Sequence, residues 1–262
     1  MIRIRGGSGL GDSIYLRPVV DHFIRCGESV TVNSNHPEVF IGSCAKVMPF
    51  SRDAGVIAHY AGDRGKARTT QFEDLCLRAG VGKIPYRMDW TVRNPGFVDV
   101  LRAQAAGRPL VLAHGGREPF GRSDGLGLPL IPEQRVFDNV LAQLSDCFTV
   151  GIGKAPQIYP VKVDSELNGN TSVSDLLDLG KSCDAVVAQV SFCVPLAEIF
   201  DKPFLGVWAA KGLTVGGSTP GRVVIRQITP QKVLSKPSSR HVIDNWTREQ
   251  ITEAVRAFRQ LF

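Results

Sequence analysis

Two segments of this sequence, about a hundred residues apart, read as a strand, a glycine-rich loop and a helix. The first runs from the apolar stretch Ile2–Ile4 through RGGSGLGD to a helical pattern over Ser13–Cys26. The second runs from Pro109–Ala113 through HGGREPFGRSDGLGLP to a helical pattern from about Pro132 to Leu144. Each loop leads into apolar residues at helical spacing. Two such beginnings predict two Rossmann-like halves, each opened by its own strand.

Further short apolar stretches between helical segments predict more buried strands in both halves. They are Ser29–Asn33 and Ala54–Tyr60 in the first half, and Cys147–Ile152, Asp184–Gln189, Pro203–Trp208 and Arg222–Arg226 in the second. Strands that alternate with helices form parallel sheets, because each return to the sheet needs a crossover helix. We therefore predict an α/β chain with an N-terminal domain at residues 1–105 and a C-terminal domain at residues 106–246.

The composition excludes several classes of protein. A hydrophobic fraction of 43% and a charged fraction of 21% are typical of a globular chain and too apolar for disorder. No apolar run approaches the length of a membrane span, and the N-terminus turns to glycine too early for a secretory signal. The six cysteines are dispersed, which argues against a zinc site or a disulfide scaffold. These features predict a cytoplasmic protein, or one peripheral at the inner membrane surface.

The charge balance favours an anionic partner. The formal net charge is +6, and the basic excess lies mainly in residues 60–110 and 202–262. Such stretches suit a phosphorylated substrate, a nucleic acid or a membrane surface. Basic faces that only keep the protein in solution are the alternative.

The first glycine loop does not match the known nucleotide-binding fingerprints. A dinucleotide motif needs a third glycine where Asp12 stands, and an acid where the second strand ends in Asn33. No GK[ST] follows, so the loop is not a phosphate-binding Walker loop either. Asp12 instead falls in the first turn of a helix. It is either an N-terminal charge that favours the helix dipole or a general base at the mouth of a cleft.

Two longer segments resemble the heptosyltransferase-like glycosyltransferases. GLGDSIYLRPVVDHF is similar to their opening, in which a GD pair follows the first strand and a proline lies inside the next helix. Leu167–Trp208 is similar to their C-terminal signature, with Gly169, Thr171 and Ser172 at its turn and Lys202-Pro203 at its exit. LVLAHGG and GIGK resemble the first two strands of the family's donor domain.

The resemblance implies a GT-B arrangement, in which two Rossmann-like domains with parallel sheets face each other across a cleft that holds a nucleotide-diphospho-sugar. It implies inverting transfer to a carbohydrate or anionic acceptor, with Asp12 as general base and with neither metal nor cofactor. It also implies that residues 247–262, whose helix opens with a capping box at Thr247 and Gln250, pack back on the N-terminal domain.

Without a metal, the leaving diphosphate needs backbone N–H groups, helix N-termini and basic side chains. The candidate donor-binding and phosphate-binding residues are Gly9, Gly11, His114, Gly115, Arg117, Arg122, Lys154, Glu166, Gln189, Ser191 and Lys211.

The donor loop departs from the family pattern D-S-G-x-x-H. This chain has Val190 at the acid, Phe192 at the glycine and Pro195 at the histidine, while Ser191 matches and Gln189 stands beside the acid's place. Two alternatives therefore stay open. One is a GT-B-shaped binding or scaffold protein that has lost catalysis, and the other is a glycosyltransferase whose acceptor is DNA.

Overall fold

A computed structural model describes residues 1–51, 56–57, 70–115, 134–153, 162–189, 191–208, 218–219, 222–223, 234, 236–243 and 245–262. The strands are β1 (Ile2–Arg5), β2 (Val30–Asn33), β3 (Lys46–Met48), β4 (Val56–Ile57), β5 (Leu110–His114), β6 (Phe148–Gly151), β7 (Ser165–Glu166), β8 (Ala185–Gln189), β9 (Phe204–Trp208), β10 (Ser218–Thr219), β11 (Arg222–Val223) and β12 (Ser239–Ile243). The helices are α1 (Leu10–Arg25), α2 (Gln71–Arg78), α3 (Pro95–Ala105), α4 (Gln134–Ala142), α5 (Val173–Ser182), α6 (Cys193–Ile199) and α7 (Arg248–Arg259), with a 3₁₀ turn at Pro37–Phe40.

Two parallel sheets organise the chain, as the sequence predicts. The first has the order β3-β2-β1-β4 and the second has the order β12-β9-β8-β5-β6-β7. All strand pairs within these two sheets are parallel. Numbered along the chain, the second sheet has the Rossmann order 3-2-1-4-5-6, which reverses direction between β5 and β8. Ligands of such sheets bind outside the carboxyl ends of the strands at that reversal.

The strand predictions differ from the structure at Arg222–Arg226 and at β12, whereas the described part of Ala54–Tyr60 pairs parallel with β1, as predicted. The predicted parallel strand Arg222–Arg226 is described only at β11, which pairs antiparallel with β10 outside both large sheets. The predicted strand Ala54–Tyr60 is described only at β4. The sequence analysis missed β12, a parallel edge strand beside β9 whose residues are mostly half-buried.

The second sheet is covered on both faces. Along β5, Leu110 and Leu112 point into one apolar cluster, whereas Val111 and Ala113 point into another. Helices α3, α5 and α6 contribute to the first of these clusters, and α4 and α7 contribute to the second. Burial of both faces is the normal condition of a parallel sheet, and it explains the nearly continuous apolar runs of these strands.

The first sheet shares its core with a helix of the second half. Ile4 and Val32 pack with α1 and α2, and the same cluster includes Leu196, Ile199 and Phe200 at α6 and its end. Other α6 residues, including Val194, belong to a core of the second sheet. Helix α6 therefore lies between the two sheets.

Two helices pack differently from the sequence expectation. The buried face of α7, formed by Ile251, Val255 and Phe258, lies in a cluster whose described members all come from the C-terminal half. Among the described residues, the helix therefore packs on the C-terminal half and not, as expected, on the N-terminal domain. It follows directly after β12 and covers the apolar face of the sheet that β12 extends. Helix α3, placed by the sequence in residues 1–105, also packs on the second half, where Arg102 pairs with Asp184 at 2.5 Å.

Candidate functional site

The first turn of α1 holds a carboxylate under a glycine loop. The Gly9 N–H donates to Asp12 Oδ2 over 3.0 Å, so Asp12 serves the helix start as a cap. Its other oxygen, Oδ1, is buried and has no hydrogen-bond partner among the described residues. A Cβ atom on Gly7 would lie 2.3 Å from Asp12 Oδ2, so any other residue there would force the carboxylate to move. The loop thus holds Asp12 with one oxygen engaged and one without a donor.

The same turn contacts the start of α6. A Cβ on Gly11 would lie 3.3 Å from Phe192 Cα and 3.4 Å from Pro195 Cγ. Phe192 packs against the cores of both sheets, and its ring centroid lies 5.2 Å from that of His114. The residues that replace the family's donor-loop glycine and histidine are therefore the residues that touch Gly11. The carboxyl edges of the two sheets meet at this contact.

His114 and Gln189 flank the reversal point of the second sheet. Both are buried at 3% exposure, and they end the neighbouring strands β5 and β8. His114 Nδ1 donates to the Ile152 carbonyl over 2.7 Å, which holds the imidazole in one orientation. Gln189 Oε1 is buried without a hydrogen-bond partner in the described part of the chain. This strand junction therefore presents an acceptor oxygen that no described protein group satisfies.

Glu166 lies farther along the same edge. It ends β7, two strands from β5, a separation of roughly 10 Å at the usual strand spacing. Its side chain is exposed and lies over Gly151, and its Oε1 accepts the Asn168 N–H over 3.1 Å. The structure therefore places Glu166 at the rim of the carboxyl edge and not beside Asp12.

The remaining candidates have varied positions. Gly115 directly follows β5 and is buried. Ser191 Oγ accepts the Cys193 N–H over 3.2 Å at the start of α6, a local role that the family pattern did not reveal. Four candidates lie outside the described residues, namely Arg117, Arg122, Lys154 and Lys211, as does Val190.

Two titratable groups near the contact are held neutral. Burial raises the pKa of the Cys193 thiol to about 12, so this cysteine does not act as a thiolate nucleophile. Burial also raises the pKa of Tyr86 well above its usual value, while its hydroxyl donates to the Pro195 carbonyl over 3.2 Å. Sequence reasoning missed Tyr86, because nothing in its local pattern indicates a contact with α6.

The sequence analysis also missed Asp178, which joins the halves. It is fully buried in α5, and its carboxylate accepts the Trp90 indole N–H over 2.7 Å. It also accepts the backbone N–H groups of Arg93 and Asn94 over 2.8–3.0 Å. Asp178 thus fixes the segment from Trp90 to Asn94, which leaves the first half.

The described residues can be searched for disulfides, metal-ligand groups and membrane-spanning helices. All six cysteines are free in the structure. Within the described ranges, no group of three or more His, Cys, Asp or Glu side chains could hold a metal ion. No helix in those ranges has the length and apolar character needed to cross a bilayer.

Fold and site together define a class of protein. It is a Rossmann-type α/β chain with two parallel sheets, in which the Asp12 carboxylate lies where the C-terminal ends of the strands of the two sheets meet. No family model and no curated protein match the sequence. Solved structures do match, and the chain has the fold of the heptosyltransferase glycosyltransferases.

Three of these structures are informative. ADP-heptose LPS heptosyltransferase II of Escherichia coli matches with a TM-score of 0.62 at 12% identity, over 97% of each chain. A family 9 glycosyltransferase of Veillonella parvula matches with a TM-score of 0.57 at 9% identity, over 97% of this chain and 96% of that one. TibC of enterotoxigenic E. coli H10407, described as an iron-containing dodecameric glycosyltransferase, has a TM-score of 0.57 at 11% identity, over 90% of this chain and 61% of that one. The resemblance inferred from the sequence motifs is confirmed at the level of the fold.

Proposed function

We propose that this protein is a glycosyltransferase that uses a nucleotide-diphospho-sugar donor, with Asp12 as the general base. The observation that carries the proposal is the buried Oδ1 of Asp12, which has no hydrogen-bond partner in the described ranges and lies beside the Gly11–Phe192 contact. A buried carboxylate oxygen without a donor is costly, and a hydroxyl of the acceptor substrate would satisfy it. In this proposal the two sheets are the two domains of a GT-B enzyme.

The proposed reaction is a direct displacement. The acceptor hydroxyl oxygen attacks the anomeric carbon while its proton passes to the Asp12 carboxylate. The bond between the anomeric carbon and the diphosphate oxygen breaks, and the nucleoside diphosphate leaves with the electron pair. Attack from the face opposite the leaving group inverts the anomeric centre. The acceptor in this proposal is a carbohydrate or an anionic molecule.

The donor is proposed to lie along the carboxyl edge of the second sheet. His114 and Gln189 flank the point where the strand order reverses, which is where such sheets bind nucleotides. Glu166 stands at the rim of this edge, in reach of the nucleoside end of a donor spread along it. ADP-heptose is the first donor to test, because the E. coli neighbour is named for it.

The phosphate-binding side chains are testable although they lie outside the described residues. We propose that Arg117, Arg122 or Lys154 neutralises the diphosphate, so that transfer needs no metal and persists with EDTA. A charge-assisted hydrogen bond contributes about 1.5–3 kcal/mol, so alanine at the responsible position should weaken nucleotide binding about tenfold or more. Isothermal calorimetry on each variant measures this, with the exposed Lys83→Ala as control. Unchanged affinity in all three variants would show that the donor binds to other loops.

Nucleotide binding itself is tested by thermal denaturation with ADP, UDP, GDP and their sugars. A ligand at a hundred times its Kd stabilises the folded state by about 2.7 kcal/mol. For a chain of this length that corresponds to a rise in Tm of roughly 5–10 °C. Release of nucleoside diphosphate with a candidate acceptor then distinguishes transfer from binding alone.

A scaffold without catalysis is the second candidate, and one observation favours it. Phe192 and Pro195 replace the family's glycine and histidine and fill the contact with Gly11. An apolar contact in that place leaves less room and fewer polar groups for a diphosphate. If no nucleotide raises the Tm of the folded protein, the scaffold function is supported and the enzyme proposal fails.

A further inference from the structure

The first sheet has one apolar face and one basic face. Three of its four strands, β1, β2 and β3, alternate as IRIR, VTVN and KVM, and the register aligns the alternation across these three. One face carries the apolar side chains that pack with α1. The other carries two rows across the strands, Arg3–Thr31–Lys46 and Arg5–Asn33–Met48. This pattern is unusual, because parallel strands are normally apolar on both faces.

The charged side chains of the two rows are all positive. Arg3 and Lys46 are exposed, and Arg5 is half-buried. Among the described residues, none of the three forms an ion pair. Arg3 and Lys46 stand two strands apart, about 10 Å between backbones, and Arg5 lies about 7 Å along β1 from Arg3. Within the part of the chain that the structure describes, the face therefore presents a triangle of cations with no carboxylate paired to it.

Arg5 adds an unsatisfied donor to this face. Its Nε is buried and has no hydrogen-bond partner within the described ranges, while its guanidinium carbon lies 5.9 Å from the Phe50 ring centroid. Arg3, in contrast, donates from Nε to Asn33 Oδ1 over 3.3 Å, which leaves its other guanidinium N–H groups available. Arg3 can therefore donate to an oxyanion that approaches this face, and the half-buried Arg5 adds its positive charge beside it.

The neighbouring side chains indicate which anion fits. Thr31, half-buried between Arg3 and Lys46, offers a hydroxyl, and cations with hydroxyl donors are the usual contacts to phosphate oxygens. Within the two rows no aromatic side chain is available to stack a base, so a bound strand would be held by its backbone. Met48 is half-buried, so the rows also offer no exposed apolar side chain to insert into a lipid layer.

We propose that this face binds the phosphodiester backbone of a nucleic acid without reading its sequence. The inference goes beyond the proposed transferase and does not depend on it. Arg5 ends β1, and the glycine loop that follows leads directly to Asp12. A duplex held on this face would therefore pass the edge of the first sheet at which the candidate site lies.

The test is the salt dependence of binding to a short fluorescent duplex DNA of mixed sequence, followed by anisotropy. Each phosphate contact contributes about 0.9 to the slope of log K against log salt concentration for duplex DNA. The double variant Arg3→Gln/Lys46→Gln is expected to lower that slope by about 1.8. The control Lys83→Gln/Arg87→Gln removes two exposed charges elsewhere, so both variants lower the net charge of +6 by two. The control is expected to keep the slope of the parent protein.

Three results would overturn the inference. They are absence of salt-dependent binding to DNA, an equal fall of the slope in both double variants, and binding to anionic phosphatidylserine vesicles but not to DNA. The donor-binding test separates this inference from the transferase proposal. Suppose that no nucleotide stabilises the protein, but that the salt-dependence slope of DNA binding falls only in Arg3→Gln/Lys46→Gln. The nucleic-acid surface would then be supported and the transferase proposal would fail.

Discussion

Asp12→Asn is expected to slow sugar transfer at least about a hundredfold while nucleotide binding persists. General-base catalysis contributes roughly 10²–10⁴ in rate, and an amide cannot take the acceptor's proton. The bond from the Gly9 N–H should survive, because an amide oxygen can also accept it, and the lost charge near the helix N-terminus should cost at most about 1 kcal/mol. The measurements are turnover under saturating donor and the free energy of unfolding of the same sample.

Glu73→Gln is the matched control for that variant. Glu73 stands at the third position of α2, as Asp12 does in α1, and its Oε2 accepts the Thr70 N–H over 2.8 Å. The control removes a carboxylate charge from the third position of a helix, as Asp12→Asn does. It should therefore change the free energy of unfolding by a similar amount and leave turnover unchanged. If Asp12→Asn turns over at a near-native rate, Asp12 acts only as a cap and is not the base.

Asp178→Ala is expected to destabilise the protein by about 3 kcal/mol or more. The substitution leaves the buried Trp90 indole N–H and the partly buried backbone N–H groups of Arg93 and Asn94 without their acceptor, and each buried group left so costs about 1–3 kcal/mol. At about 2–4 °C per kcal/mol, the Tm should fall by roughly 6–12 °C. Thermal denaturation followed by circular dichroism measures the change.

Asp175→Ala supplies the comparison within the same helix. Asp175 lies one turn earlier in α5, where its carboxylate completes a capping box with Ser172. Loss of a cap contribution costs about 1 kcal/mol. Equal losses of stability in the two variants would show that the buried hydrogen bonds of Asp178 do not hold the halves together.

The parallel sheets were predictable because each glycine-rich loop lies in the sequence between an apolar strand pattern and a helical pattern. Strand β12 was not, since an edge strand of half-buried polar residues lacks the apolar run that marks a central strand. The apolar face of α7 was also predictable, but an amphipathic pattern shows only that a helix buries one face. Which surface that face packs against depends on where β12 ends and in which direction the chain leaves it.

Part of the candidate site was also predictable from the sequence, and part was not. The GD pair located Asp12 at a helix start, and the position after a strand located His114 at a sheet edge. The contact of Gly11 with Phe192 and Pro195 joins residues far apart in sequence. No local pattern encodes that contact, because it exists only when α6 lies between the two sheets. The same reason hid Asp178, which reads in sequence as an ordinary polar residue of an amphipathic helix.

The position of α6 between the sheets has a thermodynamic consequence. Leu196 and Ile199 belong to the core of the first sheet, and Val194 and Ala197 belong to a core of the second. If α6 left its place, apolar surface would be exposed in the cores of both sheets. The free energy of folding of each half therefore depends on the other half. The two Rossmann-like halves therefore form one cooperative unit, and neither could be separated or exchanged as an independent module.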